Sequence, residues 1–223
     1  MTTIAAVLWD LDGTLVDTEP LWMKAEFQLA ARHGAEWTHE DGLALVGRSL
    51  QSSGSYIKER MGLSDPVDTI VEELVAEMVA ALGEGIPWRP GAVEMLEACV
   101  EAEIPMALVT MSYRIMTDAI EAALPVFDVI ITGDEVSAPK PDPEPYLAAA
   151  RALEVDPRDC VAFEDSPTGG TSAFAAGCTT IMLPNYAHVP ETLGHAHWEG
   201  LEGHSIAEVQ AIVDAVVRSS SVP

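Results

Sequence analysis

Trp9-Asp10-Leu11-Asp12-Gly13-Thr14-Leu15-Val16-Asp17 is where the chain passes abruptly from apolar residues to carboxylates. The preceding run, Ile4-Ala5-Ala6-Val7-Leu8-Trp9, is apolar without alternation, the pattern of a parallel strand covered on both faces. Such a strand ends at Asp10, on the carboxyl edge where open α/β sheets gather their ligands. Side chains alternate along a strand, so Asp10 and Asp12 share a face while Leu11 points into the fold. Gly13 permits the sharp turn that follows. Two carboxylates held this close repel each other unless a cation or a shared proton intervenes, which suggests Mg²⁺ or a split pair of pKa values. An acidic turn that merely caps the next helix is the plainer alternative.

Beyond Asp17 the period changes from strand to helix. Leu21, Ala25 and Leu29, with Phe27 beside them, form an apolar stripe from Pro20 to His33, with Asp17 or Thr18 as cap and Gly34 as stop. Further helices are expected over 40–46, 50–61 and 67–82. No strand interrupts them, so residues 17–86 read as a helical insertion that returns through Gly83-Glu84-Gly85-Ile86-Pro87. From Pro90 onward strands and helices alternate. Strands are expected over 104–109, 129–131, 160–163 and 179–183. Helices are expected over 91–103, 112–124 and 143–153, from Ser166-Pro167 to Gly177, and over 205–218 behind the capping box Ser205-Ile206-Ala207-Glu208. The order predicts an α/β protein: a doubly wound, Rossmann-like parallel-sheet core from residues 1–16 and 87–223, with an inserted α-helical cap of residues 17–86.

Composition narrows the function. The 223 residues carry 36 acids against 11 basic residues, a formal charge of -25, which opposes binding to nucleic acid or an anionic membrane. A phosphorylated substrate would need local positive charge, and the only lysines are Lys24, Lys58 and Lys140. Cys99, Cys160 and Cys178 are odd in number and lack CxxC spacing, as in a reducing compartment. With no leader-like start and no run of 18 apolar residues, a cytoplasmic protein is expected, with a monomer as its default state.

Four predicted strands end in polar chemistry: Asp10 and Asp12 after the first, Thr110 after the second, Lys140 in the loop after the third, and Glu164-Asp165 after the fourth. If the strands are parallel, these ends converge on one crevice. The set offers a carboxylate nucleophile, a second carboxyl for proton transfer, a hydroxyl, one cation and further acids for a metal. That suits phosphoryl transfer through an aspartyl-phosphate, where positioning and charge neutralisation do most of the catalysis. Thr110 and Asp165 also fit helix caps. Lys140 stands between Pro139 and Pro141, which fix its loop.

In order and spacing, Asp10-Leu11-Asp12-Gly13-Thr14, Thr110, Lys140-Pro141 and Glu164-Asp165-Ser166 resemble the four motifs of the haloacid dehalogenase-like hydrolases. Pro87-Trp88-Arg89-Pro90-Gly91-Ala92 and Ala175-Ala176-Gly177 extend the likeness over nearly the whole chain. The helical insertion has the length seen in the subfamily that includes β-phosphoglucomutase, sugar-phosphate phosphatases and phosphonoacetaldehyde hydrolase. The resemblance implies Asp10 as the phosphorylated nucleophile and Asp12 as general acid and base. It implies Thr110, with the backbone N–H groups of Met111 and Ser112, as phosphoryl ligands, and Lys140 as the counter-charge. Mg²⁺ would be held by Asp10, the Asp12 carbonyl and Asp165, with Glu164 nearby.

In the family's dehalogenases and phosphonate-cleaving members the second aspartate is missing. Here Asp12 is present, so a phosphatase acting on a small phosphorylated metabolite such as a sugar phosphate is expected. A β-phosphoglucomutase-like phosphomutase is the first alternative, but the place of its cap histidine falls on Trp22. The second alternative is a phosphate-responsive binding protein without turnover. Substrate choice is expected from Arg48, in Gly47-Arg48-Ser49, and from Trp22, with Glu19 a weaker contact. His195, His197 and His204 read as surface histidines.

Overall fold

The structure, a computed structural model, describes residues 4–220. β1 (Ala6–Trp9) is buried along its whole length. It is followed by four helices, α1 (Glu19–His33), α2 (His39–Leu43), α3 (Leu50–Met61) and α4 (Val67–Glu84), with no strand among them. Alternation then begins with α5 (Ala92–Glu101), β2 (Met106–Val109), α6 (Arg114–Ala123), β3 (Val129–Ile131) and α7 (Glu144–Ala152). It continues through β4 (Cys160–Glu164), α8 (Pro167–Ala176), β5 (Thr179–Met182), β6 (Ala196–His197) and α9 (Ile206–Ser220). The strands form one six-stranded parallel sheet in the order β3-β2-β1-β4-β5-β6. β1 is therefore central, and its carboxyl end lies between those of β2 and β4.

Alternation along β1 sorts the core into two faces. Val7 and Trp9 join a large cluster that includes Met116 and Ile120 of α6 and Val209 and Val213 of α9. Trp9 stacks on Phe163 of β4 there, with centroids 4.4 Å apart. Ala6 and Leu8 face the opposite way, against Ala149 and Ala150 of α7 and Ala173 of α8, where small side chains let the helices lie close to the sheet. The inserted helices have a cluster of their own, with Leu29, Trp37, Ile57, Ile70 and Leu74. α4 serves both: Ile70 and Leu74 belong to that cluster, whereas Val71, Val75, Met78 and Leu82 pack into the large one.

The chain leaves the sheet and returns to it side by side. Val16 and Trp88 form an antiparallel bridge, Asp17 N–H donates to Pro87 O at 2.9 Å, and Arg89 N–H donates to Leu15 O at 2.8 Å.

Some expectations shift. β2 starts at Met106, because Pro105 has no N–H to give a ladder. α5 stops at Glu101, and Glu103 follows at φ 53. Phe27 is 42% exposed and stands off the stripe of Leu21, Ala25 and Leu29. β6 falls in the segment expected as a polar loop; two residues are too few to show a period. The capping box at Ser205 and Glu208 forms as expected. The three cysteines are buried and unbridged, and no helix among the described residues is long and apolar enough to cross a membrane.

Candidate active site

Asp10 follows the last residue of β1 and is buried among the ends of three neighbouring strands. Its Oδ1 accepts a hydrogen bond from Lys140 Nζ at 2.8 Å. Its Oδ2 is buried and has no partner. Lys140 Nζ also donates to Val109 O at 2.9 Å, the last carbonyl of β2, and to Glu164 Oε1 at 2.5 Å. One ammonium thus ties together β1, β2 and β4. Burial works against that charge, but Asp10 and Glu164 overcome it and raise the Lys140 pKa. Burial, reinforced by Glu164, pushes the Asp10 carboxyl up to about 7 although Lys140 opposes the shift. Burial, with Asp10 and Glu164 beside it, also lifts Asp165 well above the usual carboxylate range.

Glu164 is a positioning group for Lys140. Its Oε1 accepts from Tyr146 Oη at 2.7 Å as well as from Lys140, and its Oε2 accepts from Ser166 Oγ at 3.3 Å. A Cβ on Gly169 would overlap its carboxyl, so the first turn of α8 is closed tightly over it. Neither Tyr146 nor Gly169 carried a local sequence signal, since their role depends on a carboxylate in another element.

Asp12 lies beyond the sheet, in a turn made by Gly13 at φ +86 and closed by a Gly13 N–H to Val16 O hydrogen bond of 2.8 Å. Four donors fix its carboxylate. Thr18 Oγ1 (2.7 Å) and Trp22 Nε1 (3.3 Å) meet Oδ1; Thr110 Oγ1 (3.1 Å) and Ser112 Oγ (2.6 Å) meet Oδ2. Thr18 precedes α1 without capping it, because its hydroxyl is committed to Asp12. Thr110 is fully buried; its oxygen also accepts from Ser112 N–H at 3.0 Å, which shapes the loop after β2. Asp165 packs against Gly13 so closely that a Cβ there would overlap its Oδ2.

A cavity of about 100 Å³ opens over these groups. Asp10, Asp12, Lys140, Asp165, Met111 and Ser112 form its floor residues, and Trp22, Glu19 and Arg48 line it from the inserted helices and their loops. Thr110 and Glu164 stand behind the lining. Gly47 brings the Arg48 loop onto the start of α8: a Cβ there would come within 3.1 Å of Ser166. The Arg48 guanidinium lies 5.2 Å over the Tyr56 ring. Of the histidines, His195 is exposed and accepts from Thr180 N–H through Nδ1 at 3.0 Å, away from the cavity.

Carboxylate oxygens of Asp10, Glu164 and Asp165 lie within 4.8 Å of one another, a spacing that a hard cation can bridge. The unpartnered Oδ2 of Asp10 fits such an ion, since a buried carboxylate oxygen is costly without a positive partner. Glu164 fits it less well, because both of its oxygens are already engaged. Asp10 and Asp165 are the stronger ligand pair.

Residues 7–183 match the family model described as haloacid dehalogenase-like hydrolase. The chain is 36% identical over 187 residues to hexitol phosphatase A of Escherichia coli, an alignment covering 82% of this chain and 84% of that one. It is 32% identical over 225 residues to protein CbbY of Rhodobacter capsulatus, covering 94% and 97%. The crystal structure of CbbY from Rhodobacter sphaeroides in complex with phosphate superposes with a TM-score of 0.85 at 28% identity, covering 93% of this chain and all of that one.

Proposed function

The chain belongs to the haloacid dehalogenase-like hydrolases and is a phosphoric monoester hydrolase, and we propose that it cleaves a small phosphorylated metabolite of the sugar-phosphate class through an aspartyl-phosphate on Asp10. The observation that carries this reading is the asymmetry of the Asp10 carboxylate. One oxygen is paired with a buried lysine and the other is unpartnered, at the floor of a cavity.

In this reading Asp10 attacks phosphorus, and the leaving alkoxide takes a proton from Asp12. Asp12 then removes a proton from the water that splits the aspartyl-phosphate, returning Asp10 as a carboxylate and releasing inorganic phosphate. Thr18, Trp22, Thr110 and Ser112 fix the Asp12 side chain at the cavity. Lys140 holds Asp10 in line and offsets charge that builds on the phosphoryl oxygens. The Met111 N–H is the proposed phosphoryl contact, because the Ser112 N–H is already given to Thr110 Oγ1, which shapes the loop. Mg²⁺ is the proposed metal, held by Asp10, Asp165 and the Asp12 carbonyl with Glu164 beside it. When bound it supplies Lewis-acid charge at the phosphoryl group.

Trp22 favours hydrolysis over mutase cycling, because an indole N–H donating to Asp12 cannot take up and return a proton as an imidazole does. The test is phosphate release from a panel of sugar and polyol phosphates with Mg²⁺ present and chelated. Asp10→Asn is expected to lose more than about 10³-fold in kcat, and near-wild-type release by that variant ends the proposal. Incubation with β-glucose 1-phosphate and a bisphosphate primer separates the mutase: glucose 6-phosphate forming faster than free phosphate would favour it.

A further inference from the structure

The phosphoryl chemistry leaves one buried carboxyl of the cavity unused. Glu26 lies one helical turn beyond Trp22 and two beyond Glu19 on α1, so the three share a face, and all line the cavity. Glu26 is only 4% exposed. The Trp37 indole N–H donates to its Oε2 at 3.0 Å, and a Cβ on Gly42 would come within 2.9 Å of the same oxygen, so that side of the carboxyl is fixed. Oε1 has no hydrogen-bond partner among the described residues. The inserted helices and their loops also line the cavity with apolar Leu45, Ile57 and Leu74 and with polar Arg48 and Ser53. Burial pushes the Glu26 pKa up to about 7, with the Trp37 bond opposing the shift.

A carboxyl buried in this way is costly to folding unless something compensates it, and Trp37 satisfies only one of its oxygens. Trp22 is tied to Asp12, which marks the phosphoryl end. Glu26 stands about 6 Å further along the α1 axis, within the length of a short carbon chain.

We propose that Glu26 recognises hydroxyl groups on the end of the substrate remote from the phosphate, making it the residue that selects a polyhydroxylated monophosphate over an equally long alkyl phosphate. This rests on the phosphatase reading above. Oε1 accepts a hydroxyl hydrogen, Arg48 and Ser53 offer further polar contacts, and Leu45, Ile57 and Leu74 pack against the carbon skeleton. A ligand without those hydroxyls would bury Glu26 unpaired, and sites of that kind reject the deoxy analogue strongly.

The test compares a hexitol 6-phosphate with n-hexyl phosphate. Dissociation constants are measured by calorimetry in the Asp10→Asn background, and turnover is measured with Asp10 intact. Asp10→Asn alone is expected to bind the hexitol phosphate about 100-fold more tightly, and adding Glu26→Met to cut that preference at least about tenfold. Glu26→Gln, which keeps a carbonyl acceptor, should retain it within about threefold. A preference unchanged by Glu26→Met overturns the proposal. Absence of any preference in Asp10→Asn overturns it without recourse to a second variant, should Glu26→Met fail to fold. Absence of phosphate release with Asp10 intact counts against the phosphatase reading alone, because the binding ratio is read separately.

Discussion

At Lys140 and Gly13 single atoms decide the outcome. Lys140 compensates two buried carboxylates, so Lys140→Met leaves Asp10 and Glu164 without a counter-charge and should destabilise the fold by about 3–5 kcal/mol. Adding Glu164→Gln removes one of the orphaned charges. The double variant is expected to recover part of the loss in urea titration, and simple additivity would show that the two groups are not coupled. Gly13 has two reasons to be glycine, a φ of +86 and the Asp165 oxygen where a Cβ would sit. Gly13→Ala should therefore lower kcat/KM at least about 100-fold and raise the Mg²⁺ concentration needed for half-maximal rate, since a misplacement near 1 Å costs rates of this order. An unchanged Mg²⁺ requirement would show that Asp165 does not serve the metal. Asp10 and Asp12 stood out in the sequence because they end an apolar run, Asp165 because it follows another, and Lys140 because two prolines fix its loop; the structure brings all four to one cavity. Tyr146 did not stand out, because it is defined only by its bond to Glu164.

Among the elements, α1 carries the most information per residue. Its cavity face presents Glu19, Trp22 and Glu26, while Ala25 and Leu29 build the core of the inserted helices. Glu26 escaped the sequence reading because its partner, Trp37, comes from the loop beyond the helix, and helical period alone cannot tell a buried carboxyl from a solvated one. The folded pKa of Glu26, about 7, exceeds its ordinary 4.5, so the folded chain retains a proton that the unfolded chain releases. The associated stability is complete below about 4.5 and is lost as pH rises through about 7. Glu26→Gln cannot ionise and keeps an acceptor for Trp37. It should be more stable than the wild type in urea titration at pH 8, by on the order of 3 kcal/mol at most, with the gap closing toward pH 5. A gap independent of pH would mean that Glu26 does not titrate there. The first five strands were legible from their apolar runs, but β6 and the order β3-β2-β1-β4-β5-β6 were not, because the pairing of β1 with β4 depends on contacts far apart in sequence.

The molecule as a whole carries -25 and still offers a phosphate one buried ammonium and one cavity-lining guanidinium. Long-range repulsion should slow the approach of a dianion, so kcat/KM is expected to rise several-fold as monovalent salt increases from about 0.02 to 0.2 M at fixed free Mg²⁺, as the Debye length shortens. A fall would mean that local positive charge governs encounter. The paired connections through Val16 and Trp88 have a different consequence. Because departure and return lie side by side, a helical insertion of another size could be spliced in at that one place without lengthening any strand, although α4 also roots the present one in the core.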